Sequence, residues 1–197
     1  MTILNGDYSM KIDFHVHTRR SPDSLIRPID LARKSAKLGV VPALADHNSI
    51  KSHADMRAME APFIPAEEIF TDKGDLIGLH ISELIPKNTP FLEAIDRIHD
   101  QGGIAYLPHM YDHGRSRRHA PDKEAAKVDL IETFNARCMD QSFNAKADTF
   151  ARKHKLLKAA GSHRLILARL NLVESCRRLS AAAIELRQTA PGRPRPA

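Results

Sequence analysis

Histidines and carboxylates recur, mostly in pairs, along the first 110 residues, in types and spacings that could bind metal ions. They are His15 and His17 in KIDFHVHT, Asp46-His47, Glu67-Glu68, Asp75 and His109. Imidazole and carboxylate groups are ligands that Zn²⁺, Mn²⁺ and Fe²⁺ accept, and bound metals can activate water and hold a phosphate. Each pair alone is common in turns and on surfaces. Together they predict a metal site, provided that the fold brings them to one place.

The segments around these residues alternate between strand and helix patterns. Period-two alternation over Lys11–Thr18 places both histidines on the polar face of a strand. An amphipathic helix is predicted over Pro28–Leu38, with Gly39 ending it, and Thr89-Pro90 caps a helix that runs to about Gln101. Further strands are predicted over 40–45, 63–71, 75–81, 104–107, 129–134 and 156–162, and further helices over 121–127 and 144–154. This order favours an α/β fold with mostly parallel pairing, and seven strands favour a small closed barrel.

The fold class explains how the chemistry could converge. In a parallel barrel, catalytic groups lie at the carboxyl ends of the strands. The paired groups fall at or near predicted strand ends, one strand after another. Burying so many ionisable groups without metals would be costly. The sequence therefore predicts that these groups share one metal centre.

Composition limits the remaining classes. The chain has 197 residues and a net charge of +6, but His163–Ala197 holds seven Arg and two Glu, so the rest is nearly neutral. The basic balance therefore gives no reason to expect a stable nucleic-acid complex. No apolar run approaches the ~18 residues of a membrane span, and two cysteines make no disulfide framework. We expect a cytoplasmic protein without a membrane partner, and no oligomeric state is predicted.

Five segments resemble, in order, the PHP (polymerase and histidinol phosphatase) superfamily. They are DFHVHTRRSPDS, ALADHNSI, FIPAEEIFT, GGIAYLPHMYDHGR and IETFNAR. The resemblance implies a PHP metallophosphoesterase domain over residues 1–162, folded as a distorted seven-stranded β/α barrel with an irregular C-terminal end. It implies two or three divalent metal ions, Mn²⁺, Fe²⁺ or Zn²⁺ with Mg²⁺ as a further candidate. Similar stand-alone members are 3′,5′-nucleoside bisphosphate phosphatases that also trim RNA from the 5′ end.

The family's metal ligands correspond to seven residues of this chain. These are His15, His17, Asp23, His47, Glu68, Asp75 and His109. Glu68 rather than Glu67 matches the bridging carboxylate of the family. Asp75 stands where many relatives have histidine, which favours Mn²⁺ or Mg²⁺.

The resemblance also implies catalytic and supporting roles. Glu68 would bridge the metals, and His47 would assist proton transfer, oriented by Asp46. Arg115 is predicted to neutralise the substrate phosphate, because a guanidinium fork suits phosphate oxygens. Glu132 and Asn135 correspond to the family's Glu-x-x-Asn, with a structural or supporting role.

The family's last motif, which supplies an Asp-x-His pair, is absent. Ala159–Ser162 matches its lead-in, and the chain then reads HRLILARLN. Codons that encode Arg164–Asn171 can encode family-like text in another frame, so a frameshift would explain the change. We interpret residues 163–197 as an atypical basic segment, a helix followed by a disordered Arg/Pro tail.

Three functions stay open. The first is a metal-dependent phosphoesterase that acts on small nucleotides or on RNA or DNA 5′ ends, with metal-activated water as the nucleophile. The second is a metal-binding remnant with impaired catalysis, because the last ligand motif is missing. The third is an amidohydrolase-type C–N hydrolase, which the short chain and the lack of a carboxylated-lysine motif disfavour.

Overall fold

The computed structural model describes residues 11–115 and 118–162. Within them, seven strands and five helices alternate along the chain. The strands are β1 (Lys11–Val16), β2 (Val40–Leu44), β3 (Ile64–Thr71), β4 (Gly74–Leu79), β5 (Ile104–Leu107), β6 (Leu130–Asn135) and β7 (Leu157–Gly161). The helices are α1 (Pro28–Leu38), α2 (Lys51–Ala58), α3 (Phe91–Asp100), α4 (Asp122–Ala125) and α5 (Gln141–His154). Every element predicted within these residues is present within a few residues of its expected bounds.

The seven strands form one sheet in chain order, which curves into a nearly closed barrel. Neighbouring strands are parallel except at β4, which runs antiparallel to both β3 and β5. The first and last strands meet where the backbone N–H of Ser162 donates to Asp13 Oδ1 at 2.9 Å. The predicted seven-stranded β/α barrel is therefore confirmed. The reversal of β4 brings its first residues to the end of the barrel where the parallel strands finish.

The apolar core has a part inside the sheet and parts under the helices. One cluster draws on all seven strands, with Ile12, Tyr106 and Leu130 among its buried members, so it fills the barrel. Leu31 of α1 and Met56 of α2 pack together with residues of β1 and β2 in a second cluster. A third and larger cluster joins α3, α5 and the β3–β6 region. The barrel end that carries the polar pairs is thus mounted on packed strands.

Local signals account for both bounds of α1. The helix begins at Pro28 and ends at Leu38, and Gly39 caps it with a φ of 61°, in the left-handed region. Helix α3 begins after the predicted Thr89-Pro90 pair, with Pro90 as its N-cap residue, but Thr89 does not cap it with its side chain, because its hydroxyl donates to the Pro86 carbonyl. The N–H of Phe91 donates instead to Asp72 Oδ1 at 2.7 Å, so a residue of the β3–β4 turn caps this helix.

Helix α2 was not predicted from the sequence. Its buried residues are Ser52, His53 and Met56, so no apolar stripe marks its inner face. His53 is held by the backbone of β3, where its Nε2 lies 2.9 Å from the Ala66 carbonyl oxygen. A polar anchor thus replaces the usual apolar pattern.

Several predictions fall on other parts of the chain. The segment 163–197, with its expected helix, tail and frameshift origin, lies outside the described residues and stays a prediction, as does the domain boundary at 162. Among the described residues, no helix is long and apolar enough to cross a membrane.

The close packing around Gly161 allows a test of how the barrel closes. A Cβ at this position would lie 2.5 Å from His15 Cβ and closer still to Glu132 Oε1, both of which are buried. We expect Gly161→Ala to lower the free energy of unfolding by about 1–3 kcal/mol, measured by urea denaturation, because the added methyl overpacks the closure. Gly114→Ala is the control, since the nearest atom to a Cβ there is Asp112 Oδ1 at 3.3 Å. Equal losses in the two variants would contradict this account.

Candidate metal centre

Glu68 lies at the middle of the candidate site, fully buried, with histidines around its carboxylate. Its Oε2 is 3.3 Å from Nε2 of both His15 and His17, and 3.2 Å from Nδ1 of His47. Its Oε1 is 3.1 Å from Nε2 of His109. Although Glu68 is in the middle of β3, it is level with the end of β2, because it forms a parallel bridge with His47. One carboxylate therefore contacts four histidines from the ends of three other strands.

The potential ligands divide into two groups. In each group, one nitrogen or oxygen atom per residue lies within 4.8 Å of the others; the groups are His15, Glu68 and His109, and His17, Asp23 and His47. Asp23 Oδ2 is 3.5 Å from His47 Nε2, and the Ser21 hydroxyl donates to Asp23 Oδ1 at 2.8 Å. His47 thus stands between the groups, with Nδ1 toward Glu68 and Nε2 toward Asp23. Six of the seven residues predicted as ligands fall in these groups.

Burial and mutual charge shift the protonation of these residues. Burial opposes ionisation of Glu68, but positive charge on His15 and His47 outweighs it and holds the pKa of Glu68 well below its usual range. Burial likewise opposes charge on His15, yet Glu68 and Glu132 raise its pKa to about 10. Burial lowers the pKa of His17 to about 3, so this imidazole is neutral. Without metals, ion pairs between protonated histidines and ionised carboxylates hold the cluster together. Divalent metals would displace the histidine protons.

The donor set fits divalent metal ions. His15 Nε2 and His17 Nε2 lie 3.0 Å apart and both face Glu68 Oε2. Neutral imidazole nitrogens and carboxylate oxygens are the borderline and hard ligands that Zn²⁺, Mn²⁺ and Fe²⁺ accept. Four imidazoles and two carboxylates that converge from separate strands offer enough donors for more than one ion.

Glu132 on β6 supports two of the histidines. Its Oε1 is 3.1 Å from His15 Nδ1, and its Oε2 accepts the backbone N–H of His109 at 2.8 Å. The Asn135 amide also donates to Oε2, at 2.9 Å. His109 has a φ of 28°, which is unusual for a residue with a side chain, and the Glu132 bond helps to hold that backbone. This carboxylate therefore fixes the ring of one histidine and the main chain of another.

Asp46 is placed differently from its expected role. Its Oδ1 accepts the backbone N–H of Thr18 at 2.6 Å, and its Oδ2 accepts the Thr18 hydroxyl at 2.8 Å. Successive side chains on an extended chain point in opposite directions, so Asp46 and His47 face different neighbours. The expectation that Asp46 orients His47 is corrected: Asp46 anchors the chain that follows β1, and Glu68 and Asp23 orient the His47 ring.

Asp75 and Arg115 lie at a cavity beside the ligand groups. Asp75 is the second residue of β4, opposite Phe70 of β3. Burial and the charge of Glu68 raise the pKa of Asp75 to about 6. Arg115 donates from Nε to Asp112 Oδ2 at 3.0 Å. Asp75, Arg115 and His47 line the same cavity, of about 560 Å³, which is large enough for a small organic phosphate.

Three further basic residues lie near the site, and of these the sequence interpretation considered only Arg118, as a member of the basic loop after His109. Lys87 and Arg118 line the same cavity. Arg137 lies within electrostatic range of Arg115, Asp23 and Glu68. Desolvation and the positive charge of Arg115 lower the pKa of Arg137. Arg118 belongs to the same basic loop as Arg115, and Arg137 is the last residue of IETFNAR, whereas nothing in the motifs marks Lys87.

Comparisons with solved structures place this barrel among known folds. A two-domain protein from Bacteroides vulgatus that contains a predicted PHP-like metal-dependent phosphoesterase aligns with a TM-score of 0.64 at 17% identity, over 79% of this chain and 52% of that one. A protein from Bifidobacterium adolescentis assigned to the metal-dependent phosphoesterases aligns with a TM-score of 0.67 at 16% identity, over 91% and 96%. An amidohydrolase from Chromobacterium violaceum, with bound sulfate and no metal, aligns with a TM-score of 0.62 at 15% identity, over 79% and 87%. At these identities, the likeness shows the fold.

Sequence comparison gives nearer relatives, although no protein-family model matches the chain. Uncharacterized protein MJ0417 of Methanocaldococcus jannaschii is 38% identical over 159 residues, which are 78% of this chain and 64% of that protein. The chain thus spans less than two thirds of the length of this relative. Uncharacterized protein MJ1587 of the same organism is 36% identical over 117 residues, which are 52% of this chain and 68% of that protein. The chain therefore belongs to the family of MJ1587 and has the barrel fold of PHP-like metal-dependent phosphoesterases.

Proposed function

We propose that the protein is a metal-dependent phosphoesterase that hydrolyses phosphate esters of small nucleotides or of RNA or DNA 5′ ends. The observation that carries this proposal is the position of Glu68, which contacts both groups of candidate metal ligands beside a cavity with a basic rim. The metal centre accounts for activation of water, and the arginines account for recognition of phosphate. The structural neighbours described as metal-dependent phosphoesterases support the same chemistry.

The proposal assigns each ligand group one divalent ion, with Glu68 between them. His15 and His109 complete the first group, and His17, Asp23 and His47 form the second. Asp75, at the edge of the cavity, is the residue through which a third ion would be held. Bound divalent ions, Mn²⁺, Fe²⁺, Zn²⁺ or Mg²⁺, lower the pKa of a water ligand and polarise phosphoryl oxygens.

The chain's own residues bind and orient the substrate. Arg115 faces the cavity beside His47, and Arg137 lies within electrostatic reach of the same groups. Their guanidinium groups offer paired N–H donors to the phosphoryl oxygens and stabilise charge that develops there. Glu132 keeps the His15 ring and the His109 backbone in place while the substrate binds. The buried Cys138 donates its S–H to the Asp140 carbonyl, so it is not placed as a nucleophile.

The amidohydrolase alternative shares the fold with the Chromobacterium violaceum structure. Phosphate is the better match for this cavity, because amides are neutral and give Arg115, Arg118 and Lys87 no charge to pair with. The alternative of a metal-binding remnant depends on how many ions the protein binds, which elemental analysis measures.

Adjacent glutamates provide a matched test of the metal centre. We expect the wild-type protein, purified with Mn²⁺, Fe²⁺ and Zn²⁺ available, to hold two or more metals per chain by elemental analysis. Glu68→Gln should lose at least one, because it removes the shared carboxylate. Glu67→Gln should lose none: Glu67 Oε2 accepts the Ile85 N–H at 3.0 Å, and burial raises its pKa to about 7, so glutamine resembles its protonated form. One metal or none in folded wild-type protein would instead indicate the remnant.

Phosphate release tests the reaction itself. We expect the metal-loaded protein to release phosphate from a 3′,5′-bisphosphorylated nucleoside or a 5′-phosphorylated RNA oligonucleotide. Arg115→Gln should lower kcat/KM by about 10–100-fold, the usual cost of removing a hydrogen bond to a charged group. Arg33→Gln, on the exposed face of α1, should leave kcat/KM unchanged. Equal activity of both variants would remove Arg115 from the proposed mechanism, and no release by the wild type would overturn the proposed function.

A further inference from the structure

We propose that Lys87 and Phe70 form a subsite for a second anionic group of the substrate, carried on a planar or apolar unit and separate from the phosphate that is cleaved. This inference rests on the proposed function, because it assigns the cavity wall beyond the metal ligands. It makes Lys87 a specificity-determining residue. The wall is built by the β3–β4 hairpin and by the chain that leads from β4 to α3.

The Phe70 backbone is fixed on the side that has no neighbouring strand. Strand β2 ends before reaching this level, so the edge of β3 needs other partners. The N–H of Phe70 donates to Asn48 Oδ1 at 3.0 Å, and its carbonyl accepts the N–H of Asn88 at 2.7 Å. Both asparagines have left-handed backbones, with φ of 49° and 66°, a conformation that asparagine tolerates. These two bonds hold the Phe70 backbone in place at the cavity wall.

Lys87 is placed over this ring, with Nζ 5.4 Å from the ring centroid. In the part of the chain that the structure describes, Lys87 makes no ion pair. Lys73, in the turn of the β3–β4 hairpin, contrasts with Lys87, because both Glu124 oxygens accept from its Nζ, at 2.8 and 2.6 Å. The Lys87 ammonium is therefore held near an aromatic face with its charge available to a ligand.

The position of this pair relative to the metal ligands decides what it can bind. Lys87 and Phe70 line the same cavity of about 560 Å³ as His47, Asp75 and Arg115. A phosphate ester bound at the metal centre would therefore extend along the cavity toward the lysine. Its leaving group would meet an aromatic ring and an ammonium, which together favour a flat unit bearing a carboxylate or a second phosphate.

Three aryl phosphates separate this subsite from the metal centre. Phenyl phosphate has a flat ring without a second anionic group, 4-carboxyphenyl phosphate adds a carboxylate, and 1,4-phenylene bisphosphate adds a phosphate. With Mn²⁺-loaded protein, Lys87→Gln should lower kcat/KM for the two esters with a second anionic group by about fivefold through KM, the size of a favourable exposed ion pair. Phenyl phosphate should change by less than about twofold, since it lacks the partner charge. A loss confined to one ester identifies which anion the subsite takes.

Two further variants control this experiment. Lys87→Arg keeps the charge and should retain most of the affinity for the two esters with a second anionic group. Lys37→Gln removes a lysine from the last turn of α1, at the opposite end of the barrel, and should change none of the three. Equal kinetics of the wild type and Lys87→Gln on all three esters, or an equal loss on all three, would overturn the subsite and leave the phosphoesterase standing.

Calorimetric titration with 1,4-phenylene bisphosphate separates the two proposals if no ester is hydrolysed. Absence of turnover by the metal-loaded wild type would count against the proposed function alone. Binding to the wild type that is about fivefold tighter than to Lys87→Gln would still support the subsite, because the difference reports the ammonium group and no chemical step. Equal binding, or none, would overturn it.

Discussion

The site depends on one buried carboxylate that faces four imidazoles. Glu68 has no access to solvent, and its charge is tolerable only because His15, His47 and His109 approach it from different strand ends. A buried carboxylate without such partners would take up a proton or destabilise the fold. The register between strands must therefore place the histidines level with Glu68. The parallel bridge between His47 and Glu68 shows this register just beyond the end of β2.

The reversal of β4 makes the barrel end that carries the candidate site asymmetric. An all-parallel barrel would bring only carboxyl ends of strands to the site. Here β3 and β4 form a hairpin that rises beyond the end of β2, so Asp75 and Phe70 stand opposite each other above the metal ligands. The same hairpin holds α3 through Asp72 and α4 through Lys73. One change of strand direction thus supplies a wall for the cavity and ties it to two helices.

Much of the fold could be predicted because its signals are local. Alternation over β1 and the Gly39 stop of α1 are each visible within a dozen residues, and the order of strands and helices then limits the fold. The structure brings together six of the residues that the resemblance implied as ligands, yet their roles remain those of the proposal. Where prediction failed, the cause was a distant partner: Asp72 replaced Thr89 as the cap of α3, and α2 is anchored by His53 instead of an apolar stripe. Lys87 matters only through a cavity that sequence spacing does not reveal.

The contacts that close the barrel join residues far apart in the sequence, which affects the order in which the barrel can form. His15 meets Glu132 across 117 residues of chain, and Asp13 meets Ser162 across 149. During synthesis, the two histidines at the end of β1 are made long before Glu132 and Ser162, which contact this strand in the folded protein. Contacts of such long sequence separation form late and slow the search for the native state. The histidines of β1 are therefore synthesised well before β6 and β7, and the His15–Glu132 contact has to wait until β6 has followed them.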